Sequence, residues 1–287
     1  MPDFDHYYAD VPAEQRNALQ HFRETHTLQN ADINGTTWQY YDIGTGETVI
    51  LWLVGGLRVA DAAYRSIPLM ETSDAYRIIA PDYPPLENMA ALADGLAGLI
   101  TQLKITQVNV LSGSFGGMLA QVLVRRHPQL IKKLILSTTA APSPDIAERY
   151  TQQLAMIAPL DESTIQQGAK MQMLETLAPS DEERAFWRAY LDELYTERLD
   201  KAHITTTYQC LIDYMQNYEF ASDDLADFTG DILIFDSDND ATFGQDVQAS
   251  LTDLYPQAQR HTFIGAGHSP GSTRRDEFFQ RVRDFLD

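Results

Sequence analysis

A short β-branched run, Val108-Asn109-Val110-Leu111, drives directly into Ser112-Gly113-Ser114-Phe115-Gly116-Gly117 and emerges as the helical pattern Met118-Leu119-Ala120-Gln121-Val122-Leu123. A strand that becomes a helix within so few residues needs small side chains around the corner. The residue at its tip is forced toward an unfavourable backbone conformation. Ser114 stands at the tip, with Ser112 two residues before it and Gly116 two after. The usual G-x-S-x-G pattern has glycine at its first position, and serine here still meets the small-residue requirement. The helix behind the corner points free amides and the positive end of its dipole at Ser114, where an oxyanion would be stabilised. Ser114 is therefore a candidate nucleophile; the competing reading is a Gly/Ser-rich loop with no chemistry.

The rest of the chain fits such a corner. Val49–Val54, Tyr76–Ala80, Lys132–Ser137, Ile232–Phe235 and His261–Ile264 read as further strands, separated by helical patterns such as the Leu92, Leu96, Leu99 and Leu103 stripe. Alternation of this kind predicts an α/β fold with a mostly parallel sheet covered on both faces. Residues 13–28 read as an amphipathic helix with Ala18, Leu19 and Phe22 on its apolar side. Trp38–Ile43 and Val49–Val54, joined through Gly44-Thr45-Gly46, read as a hairpin. The rhythm stops between about Ala141 and Phe228, where only helical patterns occur. Ser143-Pro144 marks one helix start, and Ser180–Glu183 has the spacing of a capping box. The expected organisation is a core of residues 1–140 and 229–287 with a helical cap of 141–228.

The net charge of −20 sets nucleic acid and anionic membranes aside as partners, since both would be repelled, and it disfavours polyanionic substrates. Cys210 is the only cysteine, so an intrachain disulfide is excluded. Met1-Pro2-Asp3-Phe4-Asp5-His6 lacks the basic and apolar regions of a signal peptide, and Val49–Val54 is far too short to span a bilayer. A cytoplasmic location is the expectation.

A serine nucleophile needs a base, and the base needs an orienting acid. Of the seven histidines, His268 alone sits on a small-residue loop directly after a strand, Gly265-Ala266-Gly267-His268-Ser269-Pro270. His127, His203 and His261 suit structural or surface roles. Asp236, Asp238 and Asp240 follow the strand Ile232–Phe235. A calcium loop is the other reading of this acidic cluster, but its sixth position is Ala241 where that loop needs glycine. The order Ser114, Asp240, His268 matches the nucleophile–acid–base order for this strand-to-helix architecture.

On these motifs the chain resembles the α/β-hydrolase superfamily over roughly residues 37–287. The resemblance implies a central sheet of that type and a Ser114–His268–Asp240 triad, with Asp238 as the fallback acid. It also implies an oxyanion hole from the Phe115 amide and that of Gly56, with Leu57 as the alternative, in the loop Val54-Gly55-Gly56-Leu57-Arg58. The implied activity is hydrolysis of a small carbonyl compound, a carboxylic ester first, without cofactor or metal. Serine at position 114 argues against the dehalogenase and epoxide-hydrolase branches. Two narrower segments, Ala80-Pro81-Asp82-Tyr83-Pro84-Pro85-Leu86 and Leu254-Tyr255-Pro256-Gln257-Ala258, are similar to maspardin-type members, which implies a binding or scaffold role as the alternative. Trp187, Tyr190, Tyr208 and Phe243, with Phe115 and Leu57, suggest an apolar pocket and a neutral or apolar substrate. Arg58 is read first as a surface residue, and second as a partner for a substrate carboxylate. Oligomeric state is not legible.

Overall fold

The computed structural model describes residues 4–71, 74–226 and 228–287. Met1–Asp3, part of the N-terminal stretch read above for a leader, lies outside them. Eight strands form one sheet: β1 (Gln29–Ile33), β2 (Thr36–Ile43), β3 (Thr48–Leu53), β4 (Tyr76–Pro81), β5 (Val108–Gly113), β6 (Ile131–Ser137), β7 (Asp231–Ser237) and β8 (Gln259–Phe263). Their order across the sheet is β1-β2-β4-β3-β5-β6-β7-β8. The first two pairings, β1 with β2 and β2 with β4, are antiparallel, and all the others are parallel.

This corrects the expected hairpin. β2 pairs with β4, and β3 lies on the far side of β4, next to β5. The hairpin partner of β2 is β1, turned through Asn34 and Gly35, both at positive φ. β3 reads Thr-Val-Ile-Leu-Trp-Leu, a continuous apolar run with its last four residues buried, as a strand covered on both faces must be. Two further details differ from expectation. The first amphipathic helix is Ala13–Thr25, and Ala18 is exposed on it while Leu19 and Phe22 are buried. The last strand ends at Phe263, leaving Ile264 68% exposed.

The helix Met89–Gln102 packs so closely on the sheet that a methyl group on Gly95 would meet the Trp38 ring at 2.2 Å. The helix Phe115–Arg126 is buried along nearly its whole length, from Phe115 to Val124. Between β6 and β7 the chain forms the helices Pro144–Ile157, Glu162–Leu177, Arg184–Glu193 and Lys201–Asn217. Asp161 and Asp200 cap two of these by accepting from the amides of Thr164 and His203. The expected capping box at Ser180–Glu183 does not form. Glu183 makes no side-chain cap; its carboxylate pairs with Arg65 across the interface to the core. No helix among the described residues is long and apolar enough to cross a membrane.

One buried ionic cluster ties the helical insertion to the core. Asp61, 1% exposed, accepts from Tyr190 Oη at 2.7 Å, from Arg23 Nε at 2.9 Å and from Arg198 Nη1 at 2.8 and 2.9 Å. Arg23 also reaches Glu193 at 2.7 Å, and Arg198 reaches Asp82 at 3.0 Å. Tyr190, expected in the pocket, is thus locked into this cluster and lines neither cavity at Ser114.

Candidate active site

The corner after β5 places Ser114 at φ 51°, ψ −121°, a conformation that costs an L-residue of order 1–3 kcal/mol. Its surroundings hold it there. The Ser114 amide donates to Ser137 O at 3.0 Å, while Ser114 O accepts from the Gly117 amide and from Thr139 Oγ1 at 2.8 Å. At position 112 serine stands where the usual pattern has glycine, and its buried hydroxyl is satisfied by donating to Ile135 O on β6 at 2.6 Å.

Gly116 is fixed by space. A β-carbon there would stand 2.4 Å from Leu53 O and 2.5 Å from Val54 O, both backbone atoms that no rotamer change can move. Alanine is worth about 1 kcal/mol more than glycine in an open helix, whereas overpacking costs about 1–3 kcal/mol. Gly116→Ala is therefore expected to lower the melting temperature and weaken any reactivity of Ser114. Gly168→Ala, where nothing lies within 4 Å, is the control and is expected to raise the melting temperature. Thermal melts of the two variants check this; a stabilised Gly116→Ala would refute the steric account.

His268 arrives on the loop after β8, whose Gly265 and Gly267 have φ of +66° and +63°. Asp238 and Asn239 hold that loop by accepting from the Gly265 and Gly267 amides, each at 2.7 Å. His268 Nε2 lies 3.0 Å from Ser114 Oγ, and its Nδ1 lies 2.9 and 3.0 Å from the two oxygens of Asp240. The Asp240 side chain is fully buried, and its Oδ1 also accepts from the amides of Thr242 and Phe243. With Asp240 as acceptor, Nδ1 carries the ring proton and Nε2 is free to accept from the Ser114 hydroxyl. The three acids after β7 separate by role: Asp236 pairs with Arg260, Asp238 braces the loop, and Asp240 meets the imidazole.

The loop after β3 packs against the corner. A β-carbon on Gly55 would come within 3.4 Å of the Ser114 β-carbon. Among the described residues, the Gly56 and Phe115 amides donate to no group outside the helix that begins at Phe115. The Ala80–Leu86 segment braces this loop from behind. Asp82 accepts from the Ala60 amide, Tyr83 Oη donates to Val54 O, and Pro84 O accepts from Arg58 Nη2. In the second narrower segment, Tyr255 meets Gln121 and Arg125 of the helix Phe115–Arg126.

Two cavities meet at Ser114, sharing Gly56, Met173, Thr176 and His268. The larger, about 340 Å³, is lined by Arg58, Phe115, Tyr208 and Phe243 among others. The smaller, about 280 Å³, takes in Leu57 and Trp187. The Phe243 ring stands edge-on to His268, 5.4 Å between centroids. Arg58 is not a surface residue: it is 1% exposed, at φ +63°, and donates from Nη1 to Thr207 Oγ1 at 2.8 Å. Sequence reasoning missed Met173 and Thr176, which roof both cavities from the helix Glu162–Leu177. Nothing in that helix's pattern distinguishes the residues facing the site from their neighbours.

The corner thus brings together a strained serine, an imidazole within reach of it and a buried carboxylate behind the imidazole. The family model described as alpha/beta hydrolase fold matches residues 65–273, and the chain belongs to that family. Its relatives include a 2-hydroxymuconate semialdehyde hydrolase of Pseudomonas putida, 28% identical over 243 residues that cover 75% of this chain and 78% of that protein. A protein of the same name from Pseudomonas sp. strain CF600 is 28% identical over 124 residues, 40% of this chain but only 44% of its own length. Among solved structures, a hydrolase from Pseudomonas aeruginosa PA01 superposes with a TM-score of 0.75 at 17% identity, covering 91% of this chain and 98% of that one.

Proposed function

We propose that this protein is a serine hydrolase that cleaves a small carbonyl compound through an acyl-enzyme on Ser114. The observation that carries the reading is the unbroken chain Asp240–His268–Ser114, with contacts of 2.9 and 3.0 Å. Ser114 Oγ attacks the carbonyl carbon while its proton passes to His268 Nε2. Asp240 keeps the imidazole in the required tautomer and stabilises its charged form. The Gly56 and Phe115 amides stabilise the oxyanion of the tetrahedral intermediate. As that intermediate collapses, the leaving group takes the proton from His268. Water then repeats the sequence on the acyl-enzyme, with His268 again as base, and releases Ser114.

A carboxylic ester is the first substrate to try; amide, thioester and carbon–carbon bonds are open to the same machinery, since chemistry resides in the site and not in the scaffold. Because relatives are named for 2-hydroxymuconate semialdehyde, that compound belongs in the panel beside simple esters. The direct test is a fluorophosphonate probe. One adduct per chain is expected, absent from Ser114→Ala and strongly slowed in His268→Ala. An unlabelled wild-type protein, or a labelled Ser114→Ala, would overturn the reading and leave a binding role on a hydrolase fold.

A further inference from the structure

The chain has 41 acidic residues against 21 lysines and arginines, yet among the described residues no aspartate or glutamate lines the larger cavity at Ser114. Its wall instead carries Arg58 and Arg149, with His203 and His268. Arg149 is exposed on the helix Pro144–Ile157, whereas Arg58 is buried. The other deeply placed arginines are matched by carboxylates: Arg23 by Asp61 and Glu193, Arg198 by Asp61 and Asp82. Arg58 is buried more completely than either and has no carboxylate partner among the described residues. It bonds to neutral acceptors, Thr207 Oγ1 and Pro84 O, and its Nε is buried with no acceptor. Burial outweighs the favourable influence of Cys210, Tyr83 and Tyr195 and pulls the guanidinium below its ordinary value. A buried charge without a counter-charge is costly, and Arg58 is also held at a positive φ that favours glycine.

We infer that the substrate carries a carboxylate on the arm that enters the larger cavity, and that Arg58 is the counter-ion that binds it. This deepens the proposed function and rests on it for placing the scissile carbonyl at Ser114. Among the described residues no lysine, arginine, aspartate or glutamate lines the smaller cavity, and Trp187, Leu57 and Phe279 do. It takes the uncharged arm. The neutral substrate expected from the cap aromatics is thus replaced by one that is anionic at one end and apolar at the other. A ligand carboxylate completes an ion pair that the fold leaves open, in a cavity where low polarity strengthens it.

The test uses Ser114→Ala, which binds without turnover, and the monomethyl half-esters of glutaric, adipic and suberic acid, each compared with its dimethyl ester by titration calorimetry. At least one half-ester is expected to bind about tenfold or more tightly than its diester. That advantage is expected to fall at least severalfold when Arg58→Met is added, and to return in part with Arg58→Lys. A purely structural Arg58 would weaken acid and diester alike and leave their ratio unchanged. Half-esters that bind no better than diesters, including no detectable binding of either, overturn the inference without any Arg58 variant having to fold. An advantage that survives Arg58→Met but disappears in Arg149→Met overturns the assignment to Arg58. Fluorophosphonate labelling of the wild-type protein reads the triad independently. Normal labelling without half-ester preference therefore refutes only the carboxylate, and preference without labelling refutes only the acyl-transfer reading.

Discussion

Ser114→Ala and His268→Ala are each expected to lower kcat for a nitrophenyl ester by about 10⁴- to 10⁶-fold, and the double variant is expected to be no slower than the worse single one. The reason is geometric. His268 Nε2 stands 3.0 Å from Ser114 Oγ, so without Ser114 there is no hydroxyl at that position for the imidazole to activate. Conversely, a hydroxyl without a base is a weak nucleophile. In the proposed mechanism the two side chains act as one unit, so the second deletion removes nothing that remains. Asp240→Asn belongs to the same test, with an expected loss of about 10⁴-fold. An amide at that position presents one oxygen where the carboxylate now offers two to Nδ1, and one of those also accepts from the Thr242 and Phe243 amides. Losses that simply multiply in the double variant would mean that Ser114 and His268 act independently. Circular dichroism and thermal melts separate lost chemistry from lost folding.

The parts legible in the sequence are those set by local steric demand. A strand that enters Ser-Gly-Ser-Phe-Gly-Gly has few ways to continue, and His268 stands out because glycines surround it. Choosing Asp240 over Asp236 and Asp238 rested on the resemblance alone, because all three close the same strand; the choice depends on which carboxylate a loop some 28 residues later meets. The hairpin differs from expectation for a related reason. Gly44-Thr45-Gly46 looks like a turn between two strands, but β3 is apolar along its length and belongs in the sheet interior, while the polar run Gln29-Asn30-Ala31-Asp32-Ile33 forms the edge. Pairing order is a property of the whole sheet, and local pattern does not encode it. Tyr190 and Arg58 lie elsewhere than expected because in each case a distant partner decides the side chain's place. Tyr190 is spaced like any aromatic on an apolar stripe, yet Asp61, 129 residues away, claims its hydroxyl. Arg58, a charged residue after two glycines, reads as surface until Thr207 and Pro84 enclose it.

Asp61→Ala is expected to destabilise the protein by about 3–5 kcal/mol, since removing the carboxylate shared by Arg23, Arg198 and Tyr190 leaves the cluster with uncompensated buried positive charge. At roughly 2–4 °C per kcal/mol for a large domain, the melting temperature should fall by on the order of 10 °C. Burial opposes the charge on Asp61 most strongly, but Arg198 and Arg23, with hydrogen bonds from Tyr190 and Arg198, outweigh it and hold the carboxyl below its ordinary range. Asp61 is therefore ionised in the folded chain, and its loss leaves the Tyr190 hydroxyl without its acceptor and Arg23 and Arg198 with one carboxylate each, Glu193 and Asp82. The damage should not be uniform. Arg23 comes from the N-terminal helix Ala13–Thr25, whereas Tyr190 and Arg198 come from the inserted helices, so Asp61 is the point where three parts of the chain are joined. Arg198 ends the wide turn Leu194–Arg198, in which the Leu199 amide reaches back to Leu194 O at 2.9 Å, and it spans from Asp61 to Asp82. Without Asp61 the inserted helices should open before the sheet does, because the sheet's parallel core makes no use of the cluster. Limited proteolysis should then cut Asp61→Ala first within residues 141–228 under conditions that leave the wild-type chain whole. Tyr190→Phe, which removes one hydrogen bond and no charge, should cost less, about 1.5–3 kcal/mol. If Asp61→Ala melts within about 1 kcal/mol of the wild-type protein, or Tyr190→Phe costs as much, the cluster does not hold the insertion in place. The helices would then be kept down by apolar packing alone.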